Sequence, residues 1–156
     1  MEDVIIFFDG ACEWSPETQR RNPGGIATYG WVIYAGEKIF AHGFGVAKHG
    51  AGATNNVAEY VALIKALEAA KDLDLAVTLV KGDSQMVIRQ INGDYRVNAE
   101  YLKVLWDRVT SFDIEKVRFE WVRRNFNEYA DRLSKLAYNK AKEDRDYTYH
   151  YRARVK

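Results

Sequence analysis

Four acidic residues of the 156-residue chain lie where apolar runs end or helical patterns begin: Asp9, Glu59, Asp83 and Asp131. Taken singly, each is explained by an ordinary solvent-facing charge. Carboxylates that are brought within a few ångströms of one another repel, so such a group normally needs bound cations to stay ionised. Oxygen ligands without paired histidine or cysteine favour Mg²⁺ or Mn²⁺ over zinc. The hypothesis from these residues is a magnesium site, with manganese as the alternative ion.

Two of the acids follow runs that have the composition of buried strands. Residues 4–8 are β-branched or aromatic and end at Asp9-Gly10, which is interpreted as a turn, and residues 75–80 shortly precede Asp83. We therefore predict that both acids lie at strand ends. The polar residues 11–25 are predicted to form a long loop. Further strands are predicted at residues 27–34, 38–46 and 116–122, the first two joined as an antiparallel hairpin.

The other two acids lie in the early turns of predicted helices. Apolar residues recur at three- and four-residue steps after Thr54, which predicts a capped amphipathic helix with Glu59 in its second turn. Residues 128–142 have the same periodicity and place Asp131 near a helix start. Additional helices are predicted over residues 83–91 and 99–109. This order of elements indicates an α/β fold: a mixed five-stranded sheet, three antiparallel strands followed by two parallel ones, flanked by helices.

Composition and charge restrict the class of protein further. Hydrophobic residues make up 47% of the chain, enough for a sizeable core, and no apolar run approaches the roughly 20 residues that span a bilayer. We expect a cytoplasmic monomer without a membrane partner. The single cysteine, Cys12, cannot form an internal disulfide and is interpreted as a packing residue. Basic charge is concentrated in residues 115–156, which contain 12 Lys and Arg against 7 Asp and Glu.

Local sequences around the acids occur in a characteristic order along residues 9–134. They are Asp9-Gly10, Asn22-Pro23-Gly24-Gly25, Thr54-Asn55-Asn56-Val57-Ala58-Glu59, Gly82-Asp83-Ser84-Gln85 and Asn127-Glu128-Tyr129-Ala130-Asp131-Arg132-Leu133-Ser134. A lone Asp-Gly pair carries no information, but ordered motifs on matching elements do. The chain thus resembles the type 1 ribonuclease H family.

This resemblance implies the ribonuclease H-like fold and an endonuclease that hydrolyses the RNA strand of RNA·DNA hybrids. It implies that two metal ions about 4 Å apart flank the scissile phosphate, one activating water and the other stabilising the leaving 3′ oxygen. The products would carry 5′-phosphate and 3′-hydroxyl ends. The ligands implied are Asp9, Glu59, Asp83 and Asp131.

The resemblance also implies which residues contact the hybrid, whose RNA strand is distinguished from DNA by its 2′-hydroxyls. The RNA contacts would be Gly10, Asn22, Asn55, Asn56 and Gln85, and Thr54 would contact a phosphate of the DNA strand. The threonine and the asparagines are also explained by helix capping and turn formation, and both roles can hold at once. Gln85 is equally well explained as a helix-surface residue.

The chain departs from the family pattern in several places. The loop of residues 121–127 lacks the histidine that many members carry. Two interpretations stay open: Arg124 or another loop residue, such as Arg123, substitutes for it, or product release is slower. Residues 92–107 leave no room for the basic protrusion that grips DNA in larger relatives. Val57 replaces a customary arginine. Residues 12–21 form a longer loop than usual, interpreted either as a nucleic-acid contact through Trp14, Arg20 and Arg21 or as a surface insertion.

Residues 1–143 are predicted to form the catalytic domain and residues 144–156 a C-terminal tail. Alternating aromatic and polar residues in the tail predict an extra strand, with a frayed end as the alternative. The chain resembles the compact archaeal-type members of the family, without the basic protrusion or a hybrid-binding domain, and some bacterial members. Several of these enzymes accept double-stranded RNA as well as hybrids. Two alternative functions stay open: a nuclease of the same fold that also cleaves double-stranded RNA, and a non-catalytic hybrid-binding module.

Overall fold

The computed structural model describes residues 2–14 and 25–153, and these build a mixed sheet with helices on both faces. The six strands of this part of the chain are β1 (Val4–Glu13), β2 (Ile26–Ala35), β3 (Lys38–His49), β4 (Leu79–Gly82), β5 (Arg118–Trp121) and β6 (Tyr149–Ala153). They are hydrogen-bonded in the order β5-β4-β1-β2-β3-β6. The pairs β1–β2, β2–β3 and β3–β6 are antiparallel, and the pairs β1–β4 and β4–β5 are parallel.

Four α-helices are present among the described residues: α1 (Asn55–Asp72), α2 (Gln85–Ile91), α3 (Glu100–Thr110) and α4 (Glu128–Glu143). Two of them begin at hydroxyl caps. The Thr54 hydroxyl accepts a hydrogen bond from the Val57 N–H at 3.1 Å, and the Ser84 hydroxyl accepts one from the Val87 N–H at 3.3 Å. These caps satisfy backbone donors that have no partner within the helix.

The core lies mainly between the sheet and α1. Ile6 and Phe8 point from β1 to this side and are fully buried, as are Tyr60 and Leu63 of α1. The opposite face of β2 is covered by α4, so β2 is buried on both faces. Gly30 makes this packing possible, because a Cβ at that position would lie 2.5 Å from the Ala130 carbonyl oxygen of α4. The two long helices therefore enclose the central strands.

The structure confirms the predicted fold class but corrects the number of strands from five to six. The additional strand is β6, whose residues 149–153 pair with residues 45–41 of β3. The alternation seen in the tail therefore corresponds to a strand, whereas the division of the chain at residue 143 stays a prediction. No helix among the described residues is long and apolar enough to cross a membrane.

Two predicted strand boundaries are wrong. β1 continues past Asp9 to Glu13, so Asp9 lies within a strand rather than at its end, and residues 11–13 are not in a loop. Gly10 was interpreted as a turn signal, but its lack of a side chain serves the approach of α1. β4 begins only at Leu79, four residues later than predicted. Asn22, Arg20 and Arg21 lie outside the described residues.

Replacing Gly10 tests this close approach. A Cβ at Gly10 would lie 2.3 Å from the Ala58 carbonyl carbon and 2.5 Å from the Glu59 nitrogen, both backbone atoms of α1. We expect Gly10→Ala to lower the free energy of unfolding by about 3 kcal/mol, because α1 must move away from β1. Urea denaturation monitored by circular dichroism measures the loss.

Gly93→Ala is the control for this substitution. Its Cβ would meet nothing within 4 Å, although its φ of 83° costs about 1 kcal/mol for a side chain. If Gly10→Ala were no more destabilising than Gly93→Ala, the close contact between β1 and α1 would be refuted.

Candidate active site

Three of the four predicted acids meet at one point of the fold. The parallel register pairs Phe8 of β1 with Gly82 of β4, which brings Asp9 of β1 close to Asp83, the residue that follows β4. The Gly10 contact brings α1, and with it Glu59, against the same point. One carboxylate oxygen from each of the three acids lies within 4.8 Å of the others. Asp9 and Glu59 are only 4% and 7% exposed, so this acidic cluster is largely withdrawn from water.

Asp131 lies beside the acidic cluster and not within it. Its carboxylate interacts with those of Asp9 and Asp83, but it is partly exposed and forms an ion pair with Lys135 at 3.1 Å. Lys135 is one helical turn further along α4, so the pair is local to that helix. The structure therefore separates three acids with buried side chains from a fourth that is partly exposed at the margin.

Burial dominates the electrostatics of the acidic cluster. It raises the pKa of Asp9 to about 8, with the negative charge of Asp83 adding to the shift. It also raises the pKa of Glu59 well above its ordinary value, and the charge of Asp9 contributes. The pKa of Asp83 is raised by burial as well, although hydrogen bonding from Asp9 and the charge of Arg124 oppose the shift. Without a cation, the cluster therefore retains protons that ordinary carboxyl groups lose.

Two oxygens of the acidic cluster have no hydrogen-bond partner although they are buried: Oε2 of Glu59 and Oδ2 of Asp83. Arg124 Nε lies 3.9 Å from the Asp83 oxygen, which is close enough for charge attraction but too long for a hydrogen bond. Leaving such oxygens unsatisfied costs free energy that a coordinated cation would recover. An all-oxygen donor set in this state fits a hard divalent cation.

Asn127 supports the acidic cluster and was not singled out as a site residue from the sequence. Its side chain is 1% exposed, and its Nδ2 donates a hydrogen bond to the Phe8 carbonyl at 2.8 Å. Hydrogen bonding from the same side chain lowers the pKa of Asp83. The backbone carbonyl of Asn127 accepts a hydrogen bond from the Asp131 N–H at 3.1 Å. An asparagine before a helix is typical of an N-cap. However, this side chain makes no capping bond.

Trp121 also contacts the acidic cluster. It lies at the end of β5, and its indole N–H donates to the backbone carbonyl of Asp83 at 3.1 Å. A tryptophan at the end of a strand carries no sequence signal for such a bond. Trp121 therefore holds the backbone that presents Asp83.

The predicted hybrid contacts are distributed around this cluster. Gly10 touches α1, and Thr54 caps that helix. The Asn55 Oδ1 accepts the Cys12 N–H at 2.7 Å, which ties α1 to β1. Asn56 is half-buried, and Gln85 is exposed at the start of α2. Asn22 lies outside the described residues, and the roles of all these residues toward nucleic acid stay predictions.

Comparison with known proteins gives a family for this arrangement. A family model described as reverse transcriptase-like matches residues 17–137. The chain is 39% identical over 143 residues to ribonuclease HI of Halobacterium salinarum, covering 88% of this chain and 65% of that protein. A crystal structure of the RNase H1 of that organism superposes with a TM-score of 0.74 and 37% identity, over 89% of this chain and 99% of the other. The chain belongs to the type 1 ribonuclease H family.

Two further relatives show how the family domain is used elsewhere. A bifunctional protein of Mycobacterium tuberculosis is 35% identical over 141 residues, which are 88% of this chain but 36% of that protein. LC11-RNase H1, solved in complex with an RNA/DNA hybrid, has a TM-score of 0.75 and 29% identity, over 89% of this chain and 99% of the other. The chain spans less than two thirds of the length of the curated Halobacterium and Mycobacterium proteins, 65% and 36% respectively.

The connection between α2 and α3 is short in this member of the ribonuclease H family. Residues 92–99 link α2 to α3 and contain one basic residue, Arg96. In the loop between β5 and α4, the exposed Arg124 is the basic side chain that approaches Asp83. Its neighbour Arg123 is also exposed and precedes the short 3-10 turn Arg124–Phe126.

The raised pKa of Asp9 predicts a pH-dependent stability of the metal-free protein. An unfolded aspartate titrates near 3.8, whereas Asp9 titrates at about 8 in the fold, so the folded state binds the extra proton between these values. Stability therefore falls as the pH rises through this interval. In Asp9→Asn the charge cannot form, and we expect its melting temperature at about pH 8.5 to exceed that of the parent by about 5 °C.

Thermal melts followed by circular dichroism in excess EDTA, at about pH 6 and about pH 8.5, measure this effect. Asp107→Asn, which removes an exposed acid of α3, is the control for charge alone. Parent and Asp9→Asn curves with the same pH dependence would contradict the assignment of the raised pKa.

Proposed function

We propose that this protein is a metal-dependent endonuclease that hydrolyses the RNA strand of RNA·DNA hybrids. The observation that carries the proposal is the buried acidic cluster of Asp9, Glu59 and Asp83, with two unsatisfied carboxylate oxygens, in a chain of the ribonuclease H family. The LC11 relative supports the substrate, because it was solved with an RNA/DNA hybrid. An intact cluster argues against a non-catalytic binding module.

The proposed cofactor is Mg²⁺, two ions in the presence of substrate, with Mn²⁺ as a substitute. Asp9, Glu59 and Asp83 would hold the ions, and Asp131 would complete the ligand set from the margin. Such ions, when bound, lower the pKa of a coordinated water and neutralise charge on the leaving 3′ oxygen, which leaves 5′-phosphate and 3′-hydroxyl ends. The donor set supports this choice, because carboxylate oxygens are the ligands that these ions prefer.

The protein's own contribution is to keep mutually repelling carboxylates in place. Two strands and a helix fix the acidic cluster, and Asn127 joins it to α4 through the Phe8 carbonyl. The side of the cluster toward Asp131 is the most accessible, since that side chain is 22% exposed whereas Asp83 is 6% exposed. The scissile phosphate would approach from this side, where Lys135 supplies positive charge, with Arg124 beside the neighbouring Asp83.

Recognition of the RNA strand would involve the residues around the start of α1. Because the Asn55 Oδ1 already accepts the Cys12 N–H, its amide NH₂ is left to donate to a 2′-hydroxyl. Gly10, Asn22, Asn56 and Gln85 would make the other RNA contacts, and Thr54 would contact a DNA phosphate. We further propose a monomer acting in the cytoplasm, a location supported by the cysteine content alone.

A cleavage assay tests the proposed activity. Labelled RNA·DNA hybrid, double-stranded RNA and double-stranded DNA are incubated with the protein in MgCl₂, in MnCl₂ or in EDTA. We expect cleavage of the RNA strand of the hybrid, with a metal requirement and 5′-phosphate ends. Asp83→Asn should lower the rate by about 1,000-fold, because the loss of a metal ligand removes several kcal/mol of transition-state stabilisation.

Asp107→Asn is the matched control, since it neutralises an acid far from the cluster along the chain. Equal rates of hybrid cleavage by Asp83→Asn and the parent would contradict the proposed metal-dependent mechanism. Cleavage of double-stranded RNA at a comparable rate would identify the alternative nuclease of the same fold.

Arg124 is the proposed substitute for the histidine that many family members have in this loop. Its guanidinium lies beside Asp83 and is well placed to attract the phosphate and to assist release of the product. We expect Arg124→Ala to lower kcat by about tenfold, whereas Arg123→Ala should have a smaller effect. Steady-state and single-turnover cleavage rates separate chemistry from release, and unchanged rates in Arg124→Ala would remove this role.

A further inference from the structure

Three neighbouring strands present two rows in which an aromatic residue, a glycine and another aromatic residue lie side by side. The rows are formed across β2, β3 and β6 on the face of the sheet that is turned to α1. They are Trp31-Gly43-Tyr151 and Tyr29-Gly45-Tyr149.

The glycines allow the rings to extend over the middle strand. A Cβ at Gly43 would lie 2.5 Å from the Trp31 ring, and one at Gly45 would lie 2.7 Å from the Tyr29 hydroxyl. With that space free, the rings of Trp31 and Tyr151 approach to 5.6 Å between centroids, with planes inclined by 43°. The rings therefore form an aromatic surface over the backbone of β3.

A cavity of about 330 Å³ lies between these rings and α1. That volume is in the range of sites for small molecules. The helix contributes a stripe of residues at helical spacing, namely Lys65, Glu68, Ala69 and Asp72. The cavity therefore has aromatic walls on one side and charged groups on the other.

Only one of the two acids at this cavity has its charge compensated. Glu68 forms ion pairs with Arg108 at 2.5 Å and with Lys65 at 3.7 Å. Asp72 is exposed and makes no ion pair with any residue that the structure describes. The charge of Asp72 acts on these rings, because burial and then this charge raise the pKa of Tyr151.

Packing within the sheet explains the inner rings but not the outer ones. Tyr29 and Trp31 are each 3% exposed and belong to the core. Tyr149 and Tyr151 are 66% and 40% exposed on a five-residue strand at the sheet edge. Large aromatic side chains that are left in water beside a cavity indicate a binding surface.

We infer that this cavity binds a small organic ammonium cation. Aromatic faces attract cations through their quadrupole, and the uncompensated Asp72 carboxylate would neutralise a single positive charge. The same carboxylate repels phosphate groups, so a nucleotide is disfavoured although its base could stack on the rings. Asp72 follows Glu59 by 13 residues of α1, about 20 Å along the helix axis, so this site is separate from the acidic cluster and independent of the proposed nuclease activity.

Two probes of the same shape and different charge test the inference. Choline carries a quaternary ammonium group, and 3,3-dimethylbutan-1-ol is its uncharged carbon analogue. Each is titrated into the ¹⁵N-labelled protein in excess MgCl₂ at constant ionic strength, and the indole N–H resonances are followed. Trp31 reports the cavity and is assigned with Trp31→Phe, whereas Trp121 reports the acidic cluster beside Asp83.

We expect choline to shift the Trp31 resonance with an affinity at least about fivefold higher than that of the neutral analogue. Asp72→Asn should reduce the affinity for choline to that for the analogue, and Tyr151→Leu should weaken binding as well. Asp107→Asn, an exposed acid outside the cavity, should leave it unchanged. Retained circular dichroism spectra establish that the variants are folded.

Several results would overturn the inference. They are the absence of a Trp31 shift with choline, equal affinities for the two probes, unchanged choline binding by Asp72→Asn, and shifts confined to Trp121. Comparable binding of adenosine monophosphate at Trp31 would instead identify a nucleotide site. None of these results depends on hybrid cleavage.

Discussion

The burial of three neighbouring carboxylates, to which their mutual repulsion adds, is the constraint on which the rest of this structure depends. Asp9, Glu59 and Asp83 come from two strands and a helix, and each would be more stable in water. They stay together because strand pairing and the close packing of α1 against β1 hold their backbones in place. The parallel pairing of β1 with β4 fixes two of them, and the bare Gly10 backbone against Ala58 fixes the third. Function is therefore obtained at a cost in stability.

The same constraint explains how the surrounding side chains are used. Asn127 gives its amide to the Phe8 carbonyl and lowers the pKa of Asp83, so one side chain serves both the sheet and the acidic cluster. Trp121 donates to the backbone carbonyl of Asp83 and makes no hydrogen bond to its carboxylate. Charged partners stay at the margin: Lys135 pairs with Asp131, and the exposed Arg124 lies beside Asp83. The centre is left with oxygen atoms alone, which is the condition for binding a hard cation.

Much of the fold and three of the acids were predictable because they depend on local periodicity. Two-residue and 3.6-residue patterns locate strands and helices, and parallel strands bring Asp9 and Asp83 to neighbouring positions. What was missed depends on contacts distant in sequence. Gly10 was interpreted as a turn because a glycine that makes room for a helix looks the same in sequence as one that bends the chain. Asn127 was missed because its partner, Phe8, is 119 residues away.

The bond between Asn127 and Phe8 links the first strand to the start of the last helix. During synthesis, the first strand and its acids leave the ribosome long before Asn127 does. A growing chain can therefore pair its early strands while the Phe8 carbonyl still lacks its partner and Asp83 lacks the amide that favours its charge. The surroundings of the acidic cluster therefore cannot be complete until the start of the last helix has been synthesised.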